Sequence, residues 1–207
     1  MYYQEASLAI IKALEFWGVK QVYGVTGGGA YELSKHLMTY EKNQESIGFF
    51  TIAEYLAGFA PIGSFVASGQ MACTITVPGA GSKLVSCGMS DARFLRIPAL
   101  YLMPLNKKSC ENQTPLQDAT RYGINWVAQL HQELGEDVVY LESVGDLSKC
   151  LTQIALILSQ SRPVAFCFHP DEIKKEIELE NFPALTRNFL FEKNRCDDFL
   201  LFLNQAV

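Results

Sequence analysis

The feature that most constrains this chain is a repeated alternation of short, continuously apolar segments with longer stretches of helical period. Residues 21–25, 46–51, 72–77, 98–103, 138–142 and 163–168 read as strands, and 5–17, 30–39, 54–67, 82–94, 124–134 and 147–159 read as helices. The first helix shows the pattern plainly: Leu8, Ile11 and Leu14 recur at helical spacing, and Gly18 supplies the C-terminal stop. Strands that alternate with helices specify a parallel sheet. Several of these strands are apolar throughout, which a sheet buried on both faces requires. The expected fold is therefore α/β, a three-layer, doubly wound parallel sheet with helices on both faces. Functional loops in such sheets leave the carboxyl ends of the strands. That places residues 24–29, 51–54, 78–82 and 104–117 along one edge.

Size and charge narrow the function classes. The 207 residues suffice for one α/β domain with some chain to spare. A formal charge of −5 argues against a nucleic-acid partner, which would need clustered Lys and Arg. The longest apolar runs, such as 199–203, fall far below the roughly 20 residues of a membrane span. The first residues lack a signal-peptide pattern, so a cytoplasmic location is expected, with no membrane partner. The six cysteines, none two residues from another, read as buried free thiols in a reducing compartment. No two of the three histidines stand at helical metal spacing. Residues 173–180 are highly charged, Pro183 interrupts, and 194–207 offers one amphipathic helix. The expected division is a domain over 1–172, a linker over 173–193 and a C-terminal helix over 194–207.

Candidate sites fall on the predicted loops. The GVTGGGAYE segment at 24–32 sits between a strand and a helix, where a phosphate cradle could lie, yet it completes neither the dinucleotide nor the P-loop pattern. Glu54 opens an otherwise apolar helix. Thr51 and Glu54 have capping-box spacing, so a helix cap is one reading. A carboxyl in a dry neighbourhood is the other: desolvation favours its protonated form, while the helix N-terminus favours the anion. Pro78-Gly79-Ala80-Gly81 exposes backbone amides at another helix start. Gln117 and Asp118 follow a polar loop, where solvation is the usual fate of such residues.

Taken in order, these loops resemble the pyrimidine-binding domain of thiamine diphosphate enzymes, in the group of acetolactate synthase, benzoylformate decarboxylase and oxalyl-CoA decarboxylase. The stretch LEFWGVKQVYGVTGG at 14–28 is similar to that family's opening helix, first strand and Gly-rich turn. EYLAGFAPIGSFVASG at 54–69 matches its Glu, Ala, Phe and Gly positions at the same spacing, and is the most specific part. Pro78-Gly79-Ala80 with Leu84-Val85, and LQDA at 116–119 with Gly123-Ile124, resemble the next signatures; FHPDEI at 168–173 resembles the stretch that ends the domain. The resemblance implies that Glu54 contacts N1′ of the cofactor's aminopyrimidine and shares a proton there, so that the cofactor can act as electron sink for a 2-oxo acid. It also implies cofactor contacts from Gly27, Gly28, Thr76, Pro78, Gly79 and Gln117.

The departures from the family are also specific. Ala53 stands where members often carry His, and Thr76-Val77-Pro78-Gly79-Ala80-Gly81-Ser82 replaces the usual Ser-Gly-Pro-Gly-Ala-Thr-Asn. The Gly-Asp-Gly motif that binds diphosphate and Mg²⁺ is absent; Gly145-Asp146-Leu147 is the nearest string. The resemblance thus implies a pyrimidine-binding domain or subunit of a 2-oxo-acid decarboxylase or carboligase, a lyase or transferase. It would be inactive without a diphosphate-binding partner carrying Gly-Asp-Gly, and would work as a homodimer or heteromer. Sulfopyruvate and phosphonopyruvate decarboxylases, whose two domains can be separate chains, are similar in this respect. A degenerate association or regulatory domain of the same fold is the alternative, and an unrelated doubly wound nucleotide-binding domain is a third.

Overall fold

A computed structural model describes residues 3–42, 47–178 and 181–186. The C-terminal helix expected over 194–207 lies outside them. The chain runs β1 (Tyr3–Glu5), α1 (Ala6–Phe16), β2 (Gln21–Gly24), α2 (Tyr31–Lys42), β3 (Gly48–Thr51), α3 (Glu54–Ser68), β4 (Cys73–Ile75) and α4 (Ala80–Phe94). It continues through β5 (Leu100–Pro104), α5 (Trp126–Leu134), β6 (Val138–Leu141), α6 (Leu147–Ser159), β7 (Val164–Phe168), α7 (Pro170–Ile173) and β8 (Glu176–Glu178). Six strands form one parallel sheet in the order β3-β2-β4-β5-β7-β6. This is the α/β architecture that the alternation predicts.

The two faces of the sheet are read off single strands. In β7, Val164, Phe166 and Phe168 join the core beneath α1, α2 and α6, while Ala165 and Cys167 join the core beneath α4 and α5. All five are fully buried. The period-2 alternation is still present, but both faces are apolar, so the segment reads as continuous in sequence.

Helix α3 joins the α4–α5 side through polar bonds to its own backbone. Pro61 inside α3 has no N–H to give to the Ala57 carbonyl one turn back. The buried Thr74 hydroxyl from β4 donates to that carbonyl at 2.7 Å instead. Tyr101 from β5 donates to the Gly58 carbonyl at 3.0 Å. Helices α3 and α4 cross backbone to backbone at two glycines: a Cβ on Gly88 would stand 2.0 Å from the Gly58 carbonyl oxygen. Only glycine at Gly88 permits this crossing.

The stretch expected to be a linker packs on the domain as far as it is described. Ile173 is fully buried at the end of α7. Strand β8 pairs antiparallel with β1, Tyr3 opposite Glu178, in a separate two-stranded sheet. Beyond it, Trp17 Nε1 donates to the Pro183 carbonyl at 2.8 Å, and Phe182 and Leu185 pack against the larger core. Among the described residues no helix is long and apolar enough to cross a membrane. The five described thiols are free, and Cys73, Cys150 and Cys167 are buried as expected; Cys87, however, is exposed and Cys110 half-buried, while Cys196 lies outside the described residues. Cys87 follows Ser86 on α4, on the side turned from the core residues Val85 and Met89, which is why burial fails there.

Candidate functional site

Strand order first turns back around β2: the chain passes from β2 outward to β3, then returns across it to β4. A crevice at the carboxyl ends of such strands is the usual ligand position in open α/β sheets. The Gly-rich segment leaves β2 here, the Pro78 turn leaves β4, and α3 begins two residues beyond β3.

Glu54 is the first residue of α3. Its N-cap is Ala53, and no side chain caps the helix. The capping box suggested by the Thr51–Glu54 spacing is therefore not formed. Thr51 is committed to the sheet as the last residue of β3, opposite Gly24 of β2, and strand geometry takes it away from the helix axis. The half-buried Glu54 carboxyl group sits instead at the N-terminal end of a helix with no other charged residue.

The turn after β4 brings the expected residues together at both of its ends. At Gly79 (φ +75°) a Cβ would stand 2.5 Å from the Cβ of Gln117, so Gln117 lies directly over this glycine. At Gly81 a Cβ would stand 2.8 Å from Thr76 Oγ1 and 3.3 Å from Glu54 Oε1. A side chain at Gly81 has no room: the Thr76 hydroxyl and the Val77 side chain pack directly against this glycine, with the Glu54 carboxylate just beyond. Thr76 is fully buried behind it, with its hydroxyl hydrogen directed at the Val77 carbonyl, 3.3 Å away. Gly27 is held close to Val77: a Cβ there would stand 2.9 Å from Val77 Cγ1.

Beside this turn opens a cavity of about 450 Å³, with Gly28, Pro78 and Gln117 in its wall. Glu54 and Thr76 do not line it; they meet on the Gly81 side of the same turn. Lys107, Lys174 and Glu32 add charge to the cavity wall. Glu32 is nearly buried and is paired with Lys174 at 2.9 Å and Lys35 at 3.2 Å.

The loop that carries Gln117 is held by residues not singled out from the sequence. Asn106 Oδ1 accepts the Ala119 amide at 2.7 Å, and its Nδ2 donates to the Leu116 carbonyl at 3.2 Å, so one side chain clasps both sides of Gln117. Gln117 itself has φ +57°, a left-handed conformation that a non-glycine residue keeps only when its surroundings impose it. Asp171 accepts the amides of Lys108 and Ser109 at 2.9 and 3.1 Å. Burial acts to raise the Asp171 carboxyl, but these two N–H groups outweigh it and hold it below the ordinary carboxylate value.

No known family model and no curated protein matches this chain.

The family resemblance thus rests on the sequence motifs alone. Among the described residues, no group of three or more His, Cys, Asp or Glu side chains could hold a metal ion.

Proposed function

We propose that this chain is the pyrimidine-binding domain or subunit of a thiamine diphosphate-dependent 2-oxo-acid decarboxylase or carboligase, with Glu54 as the carboxylate that activates the cofactor. The observation that carries this reading is the placement of Glu54: it opens α3 at the carboxyl edge of the sheet, with its Oε1 close to Gly81 of the turn after β4. No side chain caps that helix, and glycine at 81 lets the turn approach the carboxylate. A half-buried carboxylate beside a glycine-rich turn suits a heteroaromatic ring that offers it a nitrogen. Glu54, Thr76, Pro78, Gly79 and Gln117, with Gly27 and Gly28, are the residues that would hold the pyrimidine. Once bound, the cofactor supplies an electron sink for loss of CO2 from a 2-oxo acid. Glu54 holds or releases a proton at the pyrimidine side. The Gly58–Gly88 crossing keeps α3 and α4 in fixed register, so the carboxylate and the Pro78 turn stay aligned. Ala53, beside Glu54, brings no titratable group, so any proton delivered to substrate must come from elsewhere.

Diphosphate and Mg²⁺ belong, in this reading, to a partner chain or domain with the Gly-Asp-Gly motif that this sequence lacks. The layer that begins with Glu54 has a surface suited to such a partner. Tyr55, Leu56 and Val66 of α3, with Leu84 and Phe94 of α4, are all large, apolar and exposed. Tyr55 follows Glu54 directly on α3, so this exposed apolar surface begins beside the carboxyl group.

The test is reconstitution of this chain with a Gly-Asp-Gly partner, followed by calorimetry with thiamine diphosphate and Mg²⁺ and by turnover of 2-oxo acids. Glu54→Gln is expected to retain the complex but lower turnover by at least about 100-fold, the size of a lost acid–base contribution. Equal turnover by Glu54→Ala would sink this function. A complex that forms but neither binds the cofactor nor turns over would favour a degenerate association domain of the same fold.

A further inference from the structure

Strand order turns back a second time, where β7 is inserted between β5 and β6. This end of the carboxyl edge takes no part in the Glu54 site, yet crevices at such reversals are where ligands settle. A cavity of about 380 Å³ opens here between α5, the end of β6 and the loop after β5.

The floor of the cavity contains a polar pair, the buried His169 and the half-buried Tyr140. His169, 1% exposed, follows β7 directly. Its Nδ1 lies 2.7 Å from the Asn106 carbonyl oxygen, and its Nε2 lies 2.7 Å from Tyr140 Oη. A carbonyl only accepts, so Nδ1 carries a hydrogen; in the neutral ring Nε2 then accepts from the Tyr140 hydroxyl. With its hydrogen given to His169, the Tyr140 oxygen has only lone pairs left to offer. Burial first, then the nearby Glu142 and Glu111 carboxylates, push the Tyr140 phenol up to about 12, so it stays neutral. Glu111 Oε1 stands 4.0 Å from His169 Nε2 and adds a carboxylate to the same floor. The floor therefore accepts hydrogen bonds and attracts a cation.

Other parts of the wall differ. The exposed Arg121 and the half-buried Lys108 bring two positive charges, and Leu105, Val127 and Ala128 bring apolar surface. The exposed Glu142 completes the charged groups around the opening, and the exposed His131 ring stands beside it. A simple carboxylic acid would leave the acceptor floor without a donor. A simple amine would leave Arg121 without an anion.

We propose that this cavity binds a small α-amino acid with an apolar side chain. Its ammonium group meets Tyr140 and Glu111, its carboxylate meets Arg121 and Lys108, and its side chain lies against Leu105, Val127 and Ala128. Leu105 also lines the cavity beside the Pro78 turn, but none of the four polar residues assigned here does, so the assignment stands apart from the thiamine reading.

Calorimetry on the full chain tests it, with valine, leucine, isoleucine, methionine and phenylalanine as ligands, and with 3-methylbutylamine and 4-methylpentanoate as the one-charge analogues of leucine. At least one amino acid is expected to bind, and the analogues to bind leucine's site about tenfold or more weakly, the scale of one lost charged contact. Glu111→Gln should weaken amino-acid binding by a similar factor. Arg121→Gln, at an exposed position that does not endanger folding, should weaken the amino acid but leave the amine unchanged. Glu54→Gln should leave every affinity as it was. Absence of binding by all five amino acids overturns the assignment, as does an amine that binds as tightly as leucine or an affinity indifferent to both Glu111→Gln and Arg121→Gln.

Discussion

The two helical layers of this molecule are built on different principles. On one side, α1, α2 and α6 present Ile10, Ile11, Leu14, Leu33, Leu37, Ile154 and Leu158 to the sheet, all 1% exposed or less. This layer is closed by ordinary side-chain burial, which contributes about 1.5–3 kcal/mol for each large aliphatic residue. On the other side, α3 and α4 approach through Gly58 and Gly88 with no side chain between them. They leave Tyr55, Leu56, Val66, Leu84 and Phe94 in solvent. One layer holds the fold together; the other holds Glu54 in place and keeps its outer face available.

The contrast predicts opposite responses to side-chain size. In the open layer, Gly88→Ala adds a single methyl, but that carbon meets the Gly58 backbone at 2.0 Å, where no rotamer gives way. The helices must separate, and a loss of about 3 kcal/mol or more, or failure to fold, is expected in urea unfolding. In the closed layer, Ile154→Ala removes carbons from a fully buried site and is expected to cost about 2–5 kcal/mol. Near-wild-type stability of Gly88→Ala would break the comparison, because α3 and α4 would then have slack.

The loop that carries Gln117 gives a middle-sized effect. Asn106→Ala removes both bonds that clasp residues 116–119 and leaves the Ala119 amide without its acceptor. The expected cost is about 1–3 kcal/mol, read locally as faster hydrogen exchange at the Ala119 amide. Unchanged exchange there would mean that the backbone alone sets the left-handed turn at Gln117.

Why Asn106 escaped the sequence while Glu54 did not is a matter of range. The strands and helices were legible because their signals are local: the apolar run of β7 and the stop at Gly18 need no distant partner. Glu54 stood out as the lone charge opening an apolar helix. Asn106 sits in a polar loop of ordinary composition, and its role depends on residues ten and thirteen positions away. The β1–β8 pairing was hidden for the same reason, since the ends of the domain meet only in the folded chain and 173–180 looks like solvated linker. The Thr51–Glu54 spacing misled in the other direction: the local pattern was present, but pairing of Thr51 with Gly24 in the sheet took precedence. The Tyr140–His169 contact joins neighbouring strands across 29 positions and leaves no spacing signature at all.

The outer face of the open layer can be tested without disturbing the fold. Leu56 is 59% exposed, so Leu56→Glu is expected to change stability by no more than about 0.5 kcal/mol. Capture of a Gly-Asp-Gly partner chain should nevertheless fall sharply, because a carboxylate would be desolvated in the middle of an apolar patch. A large drop in melting temperature, with partner binding retained, would show that the face is part of the core rather than an interaction surface.

The smallest expected effect lies in the closed layer and depends on pH. His36 of α2 contacts Ser7 Oγ at 3.0 Å and Glu5 Oε2 at 3.3 Å. Burial, then the adjacent Lys35 charge, lower its pKa from the ordinary 6.5, while Glu5 and Glu32 oppose the shift. The folded state therefore prefers the neutral ring. Its contribution is fully present above about pH 6.5 and fades as pH falls through the lower folded value. Glu5, Asp171 and Glu172 are also held below their ordinary values, but they lose their contributions only in the more acidic range below 4.5. Melting temperatures at pH 7.5 and 5.5 thus avoid these carboxylates and report on His36 through its variant. The wild-type chain should melt slightly lower at pH 5.5, and His36→Gln should flatten that difference. If His36→Gln keeps the full pH dependence, the proton is taken up elsewhere.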